Sequence, residues 1–88
     1  MEIMDQLTTD RLMEIMRECA GDGDAMETDR RPEDVEFAAL GYDSLAMLET
    51  LSRLEREFGV AIDEEEFAGA VTPAELTTLV NRILTEAA

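Results

Sequence analysis

Apolar residues recur at helical spacing in three stretches of the chain. The first predicts a helix that begins at Thr8 or Thr9, since either hydroxyl can cap it, and that ends at Gly21, which fits the left-handed terminal position. Asp10 falls in its opening turn. Its buried face, at positions i, i+3, i+4 and i+7, is predicted to consist of Leu12, Ile15, Met16 and Cys19.

The second stretch predicts the longest helix, from Ser44 to about Phe58, with Asp43 as its N-cap and Gly59 as its stop. Gly41 before it permits a tight turn with positive φ. Glu49 and Arg53 stand in the order that favours an i, i+4 ion pair. At about 100° per residue, the predicted apolar arc is Met47, Leu48, Leu51, Leu54 and Phe58, and the predicted wet face is Ala46, Glu49, Arg53, Arg56 and Glu57.

The third stretch begins with Thr72-Pro73-Ala74-Glu75, which predicts an N-cap, a proline in the first turn and a capping box. Its apolar positions are Leu76, Leu79, Val80, Ile83 and Leu84. Ahead of it, the acids from Asp63 to Glu66 suit the first turn of a short helix leading to Phe67.

These patterns predict an all-α fold, a small bundle of three main helices plus one short helix. Residues 1–88 form a single domain, because a chain of this length has no room for a second core. Residues 1–7 carry no pattern and are expected to fray. The long connection from residue 22 to residue 40 is expected to be pinned by Val35, Phe37 and Leu40.

Charge and composition exclude several classes of function. Asp and Glu number 22 against seven Arg and no Lys, so a net charge of −15 repels nucleic acid and anionic membranes and favours basic partners. Because there is one Cys and no His, the chain can form neither an internal disulfide nor a Ser-His or Cys-His pair. The acidic N-terminus is unlike a signal peptide, and we expect a cytoplasmic monomer.

The acids at Asp22 and Asp24 raise the question of calcium. In an EF-hand register starting at Asp22, Met26 takes the fifth position and Glu27 the sixth, where glycine is needed, although Glu33 falls at the twelfth. The register therefore argues against an EF-hand, and we expect no metal site.

The string Gly41-Tyr42-Asp43-Ser44-Leu45, with Leu48-Glu49 and Leu54 to Val60 downstream, resembles the acyl carrier proteins, nearest to the stand-alone carriers of aromatic (type II) polyketide synthases. The resemblance runs from about Thr8 to the C-terminus and weakens between Gly21 and Glu36. It implies that Ser44, flanked by Asp43 and Leu45, carries a 4′-phosphopantetheine arm derived from coenzyme A. A phosphate there would meet free N–H groups at a helix N-terminus.

The implied function is that of a non-catalytic carrier of malonyl groups and growing polyketide chains as thioesters, in polyketide and antibiotic biosynthesis. The implied partners are a phosphopantetheinyl transferase, a ketosynthase, a malonyl transferase, and ketoreductase and cyclase enzymes, all with basic docking surfaces. On this chain, the residues expected to contact them are Met47, Glu49, Glu55, Asp63 and Glu64.

An acyl chain could slip between the second and last helices. The expected lining is Leu45, Leu48, Ile62, Leu76, Leu79, Val80 and, from the family pattern, Asn81. The residues alone favour the alternative that this set simply fills the core. Ala74 stands where many polyketide carriers have Arg.

Two alternatives remain. The chain could be a fatty-acid or peptidyl carrier, although Tyr42 and the Thr-Pro-x-Glu-Leu start of the last helix favour the polyketide branch. It could instead be an acidic helical docking or calcium-sensing module without a prosthetic group.

Overall fold

A computed structural model describes residues 6–20 and 31–87, and these residues contain four α-helices, one 3₁₀ turn and no strand. The helices are α1 (Thr9–Ala20), α2 (Ser44–Phe58), α3 (Glu64–Gly69) and α4 (Pro73–Ala87), and the 3₁₀ turn is Pro32–Asp34. The predicted all-α fold with three long helices and one short helix is confirmed. Gly21 and the calcium positions at Asp22 and Asp24 lie outside the described residues.

Local capping signals explain where the helices begin. The Thr8 hydroxyl accepts the Arg11 N–H at 3.0 Å, and Asp63 accepts the Glu66 N–H at 3.0 Å. Thr72 likewise accepts the Glu75 N–H at 3.1 Å. Each bond satisfies an N–H that the first helical turn leaves without a partner.

The capping box of α4 differs in one contact from the prediction. The Glu75 carboxylate accepts the N–H of Val71 at 2.9 Å, one residue before the expected Thr72. This bond still ties the residues ahead of α4 to its first turn, because Glu75 binds Val71 through its carboxylate and Thr72 through its N–H.

The core lies where α1, α2 and α4 meet. Thr50 is fully buried within it, and its hydroxyl donates to the Ala46 carbonyl oxygen at 2.8 Å, so this polar group is satisfied inside its own helix. The apolar cluster of the core is made of Leu7, Leu12, Ile15, Met16, Phe37, Leu51, Leu54, Ile62, Ala70, Leu76, Leu79 and Val80.

Ion pairs join α1 to α2 at the edge of this core. Arg11 donates to both carboxylate oxygens of Glu57, at 2.7 and 2.8 Å, in a bidentate arrangement. Arg53 pairs with Glu18 at 2.7 Å and approaches Glu57 at 3.6 Å. The predicted Glu49–Arg53 pair is therefore wrong, because Arg53 turns towards α1.

The predicted faces of α2 are wrong at two positions. Ala46, assigned to the wet face, is only 7% exposed, whereas Leu48, assigned to the apolar arc, is 60% exposed. The buried face is centred on Thr50 and Leu54, so the first turns of α2 present Leu45 and Leu48 to solvent.

The expectation that residue 7 frays is also wrong. Leu7 is 2% exposed, its N–H donates to Asn81 Oδ1 at 2.8 Å, and its carbonyl accepts from Asn81 Nδ2 at 2.9 Å. The Asn81 side-chain amide thus pairs with both backbone polar groups of Leu7 and fixes the chain ahead of α1.

No helix among the described residues is long and apolar enough to span a membrane.

Candidate functional site

Ser44 is the first residue of α2, and its side chain is exposed. Asp43 caps the helix, its Oδ1 accepting the Ala46 N–H at 2.9 Å and its carbonyl accepting the Met47 N–H at 3.0 Å. The N–H groups of Ser44 and Leu45 find no acceptor among the described residues. The site is therefore a helix N-terminus with a hydroxyl and two open donors.

A tight turn delivers the chain to this helix start. Gly41 has a φ of 93°, in the left-handed region that a side chain disfavours. The turn buries Phe37 and Leu40, and the Phe37 and Tyr42 rings meet edge to face with centroids 6.4 Å apart. Burial raises the pKa of the Tyr42 hydroxyl, with nearby Arg17 acting in the opposite direction.

Beside Ser44 opens a mainly apolar cleft of about 490 Å³. One wall is the first two turns of α2 with the residues just before it, another is the end of α3 with its following residues, and the third is the link ahead of α2. The Phe37 N–H donates to the Val71 carbonyl at 2.9 Å and so ties two of these walls together. The lining residues are Glu36, Phe37, Ala38, Tyr42, Asp43, Ser44, Met47, Leu48, Phe67, Ala68, Ala70 and Val71.

Of the residues expected to line an acyl cavity, only Leu48 reaches this cleft. Leu45 is 64% exposed and lies outside the lining, and Asn81 is bonded to the Leu7 backbone. The remaining four pack in the core, namely Ile62, Leu76, Leu79 and Val80. Acyl binding by these core residues stays a prediction, since the cleft lies beside Ser44 and, of the expected set, only Leu48 lines it.

Sequence reasoning missed most of the residues that do line the cleft. Phe67, Ala70 and Val71 belong to or follow a helix too short to show a period, so no pattern pointed to them. Phe37 was expected only as a pin of the long link. The signal in the sequence was the run of apolar residues that starts at Phe67. A helix as short as α3 cannot turn all of them towards the core, so some must line a surface such as this cleft.

The residues expected to contact partners are spread over the surface near α2 and α3. Glu49, Asp63 and Glu64 are exposed, whereas Met47 is half-buried and lines the cleft. Glu55 is also half-buried, and its carboxylate accepts the Ile62 N–H at 2.9 Å. Glu55 therefore holds the α2–α3 link in place, whether or not it also contacts a partner.

The chemistry available around Ser44 is limited. The only carboxylate next to it in the chain is Asp43, which is engaged as the helix cap. Cys19 is half-buried beside a second hollow of about 200 Å³ that Asp43 and Glu49 also line. Within residues 6–20 and 31–87, no cluster of acidic, Cys or His side chains is arranged to hold a metal ion.

Comparison with known proteins shows the family of the chain. The family model described as the phosphopantetheine attachment site matches residues 10–80. The oxytetracycline polyketide synthase acyl carrier protein of Streptomyces rimosus is 43% identical over 84 residues, covering 96% of this chain and 88% of the relative. The actinorhodin polyketide synthase acyl carrier protein of Streptomyces coelicolor is 44% identical over 82 residues, covering 93% of this chain and 95% of the relative.

Solved structures give the same result. The solution structure of the oxytetracycline acyl carrier protein matches with a TM-score of 0.81 at 42% identity, over 97% of this chain and 90% of that one. The octanoyl form of the actinorhodin acyl carrier protein of Streptomyces coelicolor matches with a TM-score of 0.85 at 41% identity, over 98% of this chain and all of that one (100%). With the family model spanning most of the chain and these relatives nearly all of it, the chain belongs to the acyl carrier proteins of type II aromatic polyketide synthases, a family of non-catalytic carriers with a phosphopantetheine attachment site.

Proposed function

We propose that Ser44 is the attachment residue and that this chain carries malonyl groups and growing polyketide chains on its arm. The observation that carries the proposal is the exposed Ser44 hydroxyl at the start of α2, on the rim of the apolar cleft. The chain's other serine, Ser52, is exposed but lies two turns further along α2 and lines neither hollow.

The helix start suits the phosphodiester that such an arm introduces. A phosphate on Ser44 would face the open N–H groups of Ser44 and Leu45 at the positive end of α2. Asp43 keeps those donors available, because its carboxylate satisfies Ala46 rather than either of them.

The attachment chemistry requires an external enzyme. The Ser44 oxygen forms a bond to phosphorus while the phosphoanhydride of coenzyme A breaks, and the nucleotide leaves with the negative charge. Asp43 is the helix cap and an exposed carboxylate is too weak a base to activate a serine unaided. A phosphopantetheinyl transferase must therefore take the hydroxyl proton, with Asp43 facing its metal site. Because coenzyme A supplies the arm, we place this reaction in the cytoplasm.

The cleft can bind the arm while the carrier moves from one enzyme to the next. Met47, Phe67 and Val71 offer apolar contacts beside Ser44, so the acyl end can leave water without opening the core. We prefer this placement to the expected channel between α2 and α4, because four of the residues expected to line that channel lie in the core cluster, namely Ile62, Leu76, Leu79 and Val80.

The polyketide synthase enzymes that this carrier serves would be a ketosynthase, a malonyl transferase, a ketoreductase and a cyclase. Their common docking surface would include the exposed Leu45, Glu49, Asp63 and Glu64. Met47 and Glu55 lie at its margin, because both are half-buried.

The test is an intact-mass measurement after incubation with coenzyme A and a phosphopantetheinyl transferase. Wild type should gain the mass of one arm, Ser44→Ala none, and the matched control Ser52→Ala one. Ser44→Ala should keep its fold, because Asp43 rather than Ser44 supplies the cap. A mass gain by Ser44→Ala, or none by wild type, would overturn the assignment.

A further inference from the structure

The charged side chains of α2 are not equally available to a partner. The helix carries five, and three of them are already engaged within the fold. Arg53 and Glu57 take part in the ion pairs with α1, and Glu55 accepts the backbone N–H of Ile62. Ion pairs thus neutralise Arg53 and Glu57, whereas the half-buried Glu55 carboxylate is held by a hydrogen bond and keeps its charge.

Arg56 differs from these three. Its side chain is exposed, and it pairs with no carboxylate within residues 6–20 and 31–87. It lies on the stripe that runs outward along α2 at i, i+4, i+7 and i+11 from Leu45 through Glu49 and Ser52, all of which are exposed. Leu48 adjoins this stripe, so an apolar pair lies near Ser44 and a cation lies about 16 Å further along.

This exposed stripe of α2 carries one charge of each sign, Glu49 and Arg56, in a chain of net charge −15. A partner surface that is basic throughout would be attracted by the molecule as a whole but would bring a like charge against Arg56 at contact. Such a mismatch discriminates among partners that long-range attraction alone would accept.

We propose that Arg56 determines partner specificity, and that the synthase enzymes docking on α2 present a carboxylate opposite it. The matching surface has an apolar recess for Leu45 and Leu48 beside the entrance for the arm, with an acidic residue about 16 Å away along the helix direction. This proposal rests on Ser44 being the attachment residue. It assigns to an otherwise basic docking site one acidic position that a uniformly acidic carrier would not need.

Arg56 also lies in the last turn of α2, where a cation interacts favourably with the helix dipole. That role would affect the stability of the isolated chain. It would not make acyl transfer depend on salt, so the two roles have different readouts.

The experiment compares Arg56→Glu and Arg56→Gln with the matched control Arg31→Glu. Arg31 is exposed on the segment that packs on α4, where it pairs with the neighbouring Glu33 at 2.6 Å, and its reversal changes the net charge by the same amount away from α2. Each protein is first converted to the arm-bearing form and checked by mass and by circular dichroism. Acyl transfer to an aromatic polyketide ketosynthase that accepts the wild-type chain is then measured from low to high salt.

Arg56→Glu should lower kcat/KM about three- to tenfold at low salt, with most of the deficit lost at high salt, because reversal replaces attraction by repulsion at contact. Arg56→Gln should fall between it and wild type, and Arg31→Glu should match wild type. Equal or faster transfer by Arg56→Glu than by Arg31→Glu would overturn the proposal. Failure of wild type to gain the arm would instead overturn Ser44 as the attachment residue, so the two outcomes are distinguishable.

Discussion

Replacing Asn81 by Ala should destabilise the domain, because one side chain makes both of the hydrogen bonds that hold the chain ahead of α1. These bonds join Asn81 to the N–H and the carbonyl of Leu7, at 2.8 and 2.9 Å. A net contribution of about 0.5–1.5 kcal/mol for each bond gives about 1–3 kcal/mol for the pair. Because the contact is only part-buried, water can replace the lost partners, and we expect the lower half of that range.

The loss should be visible in thermal unfolding followed by circular dichroism. For a domain of this length, about 1–2 kcal/mol corresponds to a fall in Tm of about 5–15 °C. Thr78→Ala is the matched control, since Thr78 is exposed on the same helix and its replacement brings a similar gain in helix propensity. The Leu7 amide should also lose protection from hydrogen exchange in Asn81→Ala alone.

Two results would refute this reasoning. One is a Tm for Asn81→Ala equal to that of Thr78→Ala. The other is a Leu7 amide that stays protected without its acceptor. Either result would show that burial of the Leu7 side chain holds the segment in place without Asn81.

Two further predictions concern charge. Raising salt from low to physiological concentration should increase the Tm of the isolated domain by several degrees, because screening relieves the self-repulsion of a chain with net charge −15; a Tm indifferent to salt would show that the charges are too dispersed to matter. Hydrogen bonds from Arg11 hold the pKa of Glu57 below its ordinary value of 4.5, so its contribution is present above that pH and is lost as the pH falls through the lowered pKa. Unfolding of wild type and Glu57→Gln in denaturant should therefore differ most near neutral pH and converge in acid, and a difference that persists at low pH would contradict the assignment.

Helix boundaries could be predicted from the sequence because their signals are local. Asp43 and Gly59 bound α2 at the predicted residues, with Asp43 as a side-chain cap and Gly59 in the left-handed region at a φ of 67°. Thr8 and Thr72 likewise cap α1 and α4, whereas Asp63, expected in the first turn of α3, is its N-cap. A cap depends on a few neighbouring residues, so the start or end of a helix is determined without tertiary packing.

The face that α2 buries could not be predicted, and the reason lies in its leucine spacing. Leucines recur at every third residue from Leu45 to Leu54, and each such step turns about 60° back around the helix. The four leucines therefore cover about 180°, which is more than one neighbouring face can bury. Contact with α1 decided which half became core, and no residue of α2 alone encodes that choice.

Long-range polar contacts escaped prediction for a related reason. Asn81 and Leu7 are separated by 74 positions, and Arg11 and Glu57 by 46. The rule for pairs within a helix correctly identifies Glu49 as a neighbour of Arg53, but that pair contributes only about 0.2–0.5 kcal/mol. The competing arrangement gives Arg53 contacts with Glu18 and Glu57 on the α1 side, so the weak local preference is overridden.

The same leucine spacing connects the fold to the proposed function. Because the core covers only the inner half of the leucine band, Leu45 and Leu48 remain exposed within one turn of Ser44. Exposed leucines contribute nothing to the core, but beside an attachment residue they offer a partner apolar surface where the arm must enter its active site. Burying them would require α2 to rotate and would carry Ser44 towards the core. The exposure of these leucines and the exposure of the Ser44 hydroxyl are therefore two consequences of one helix orientation, fixed by the burial of Leu51 and Leu54 in the core.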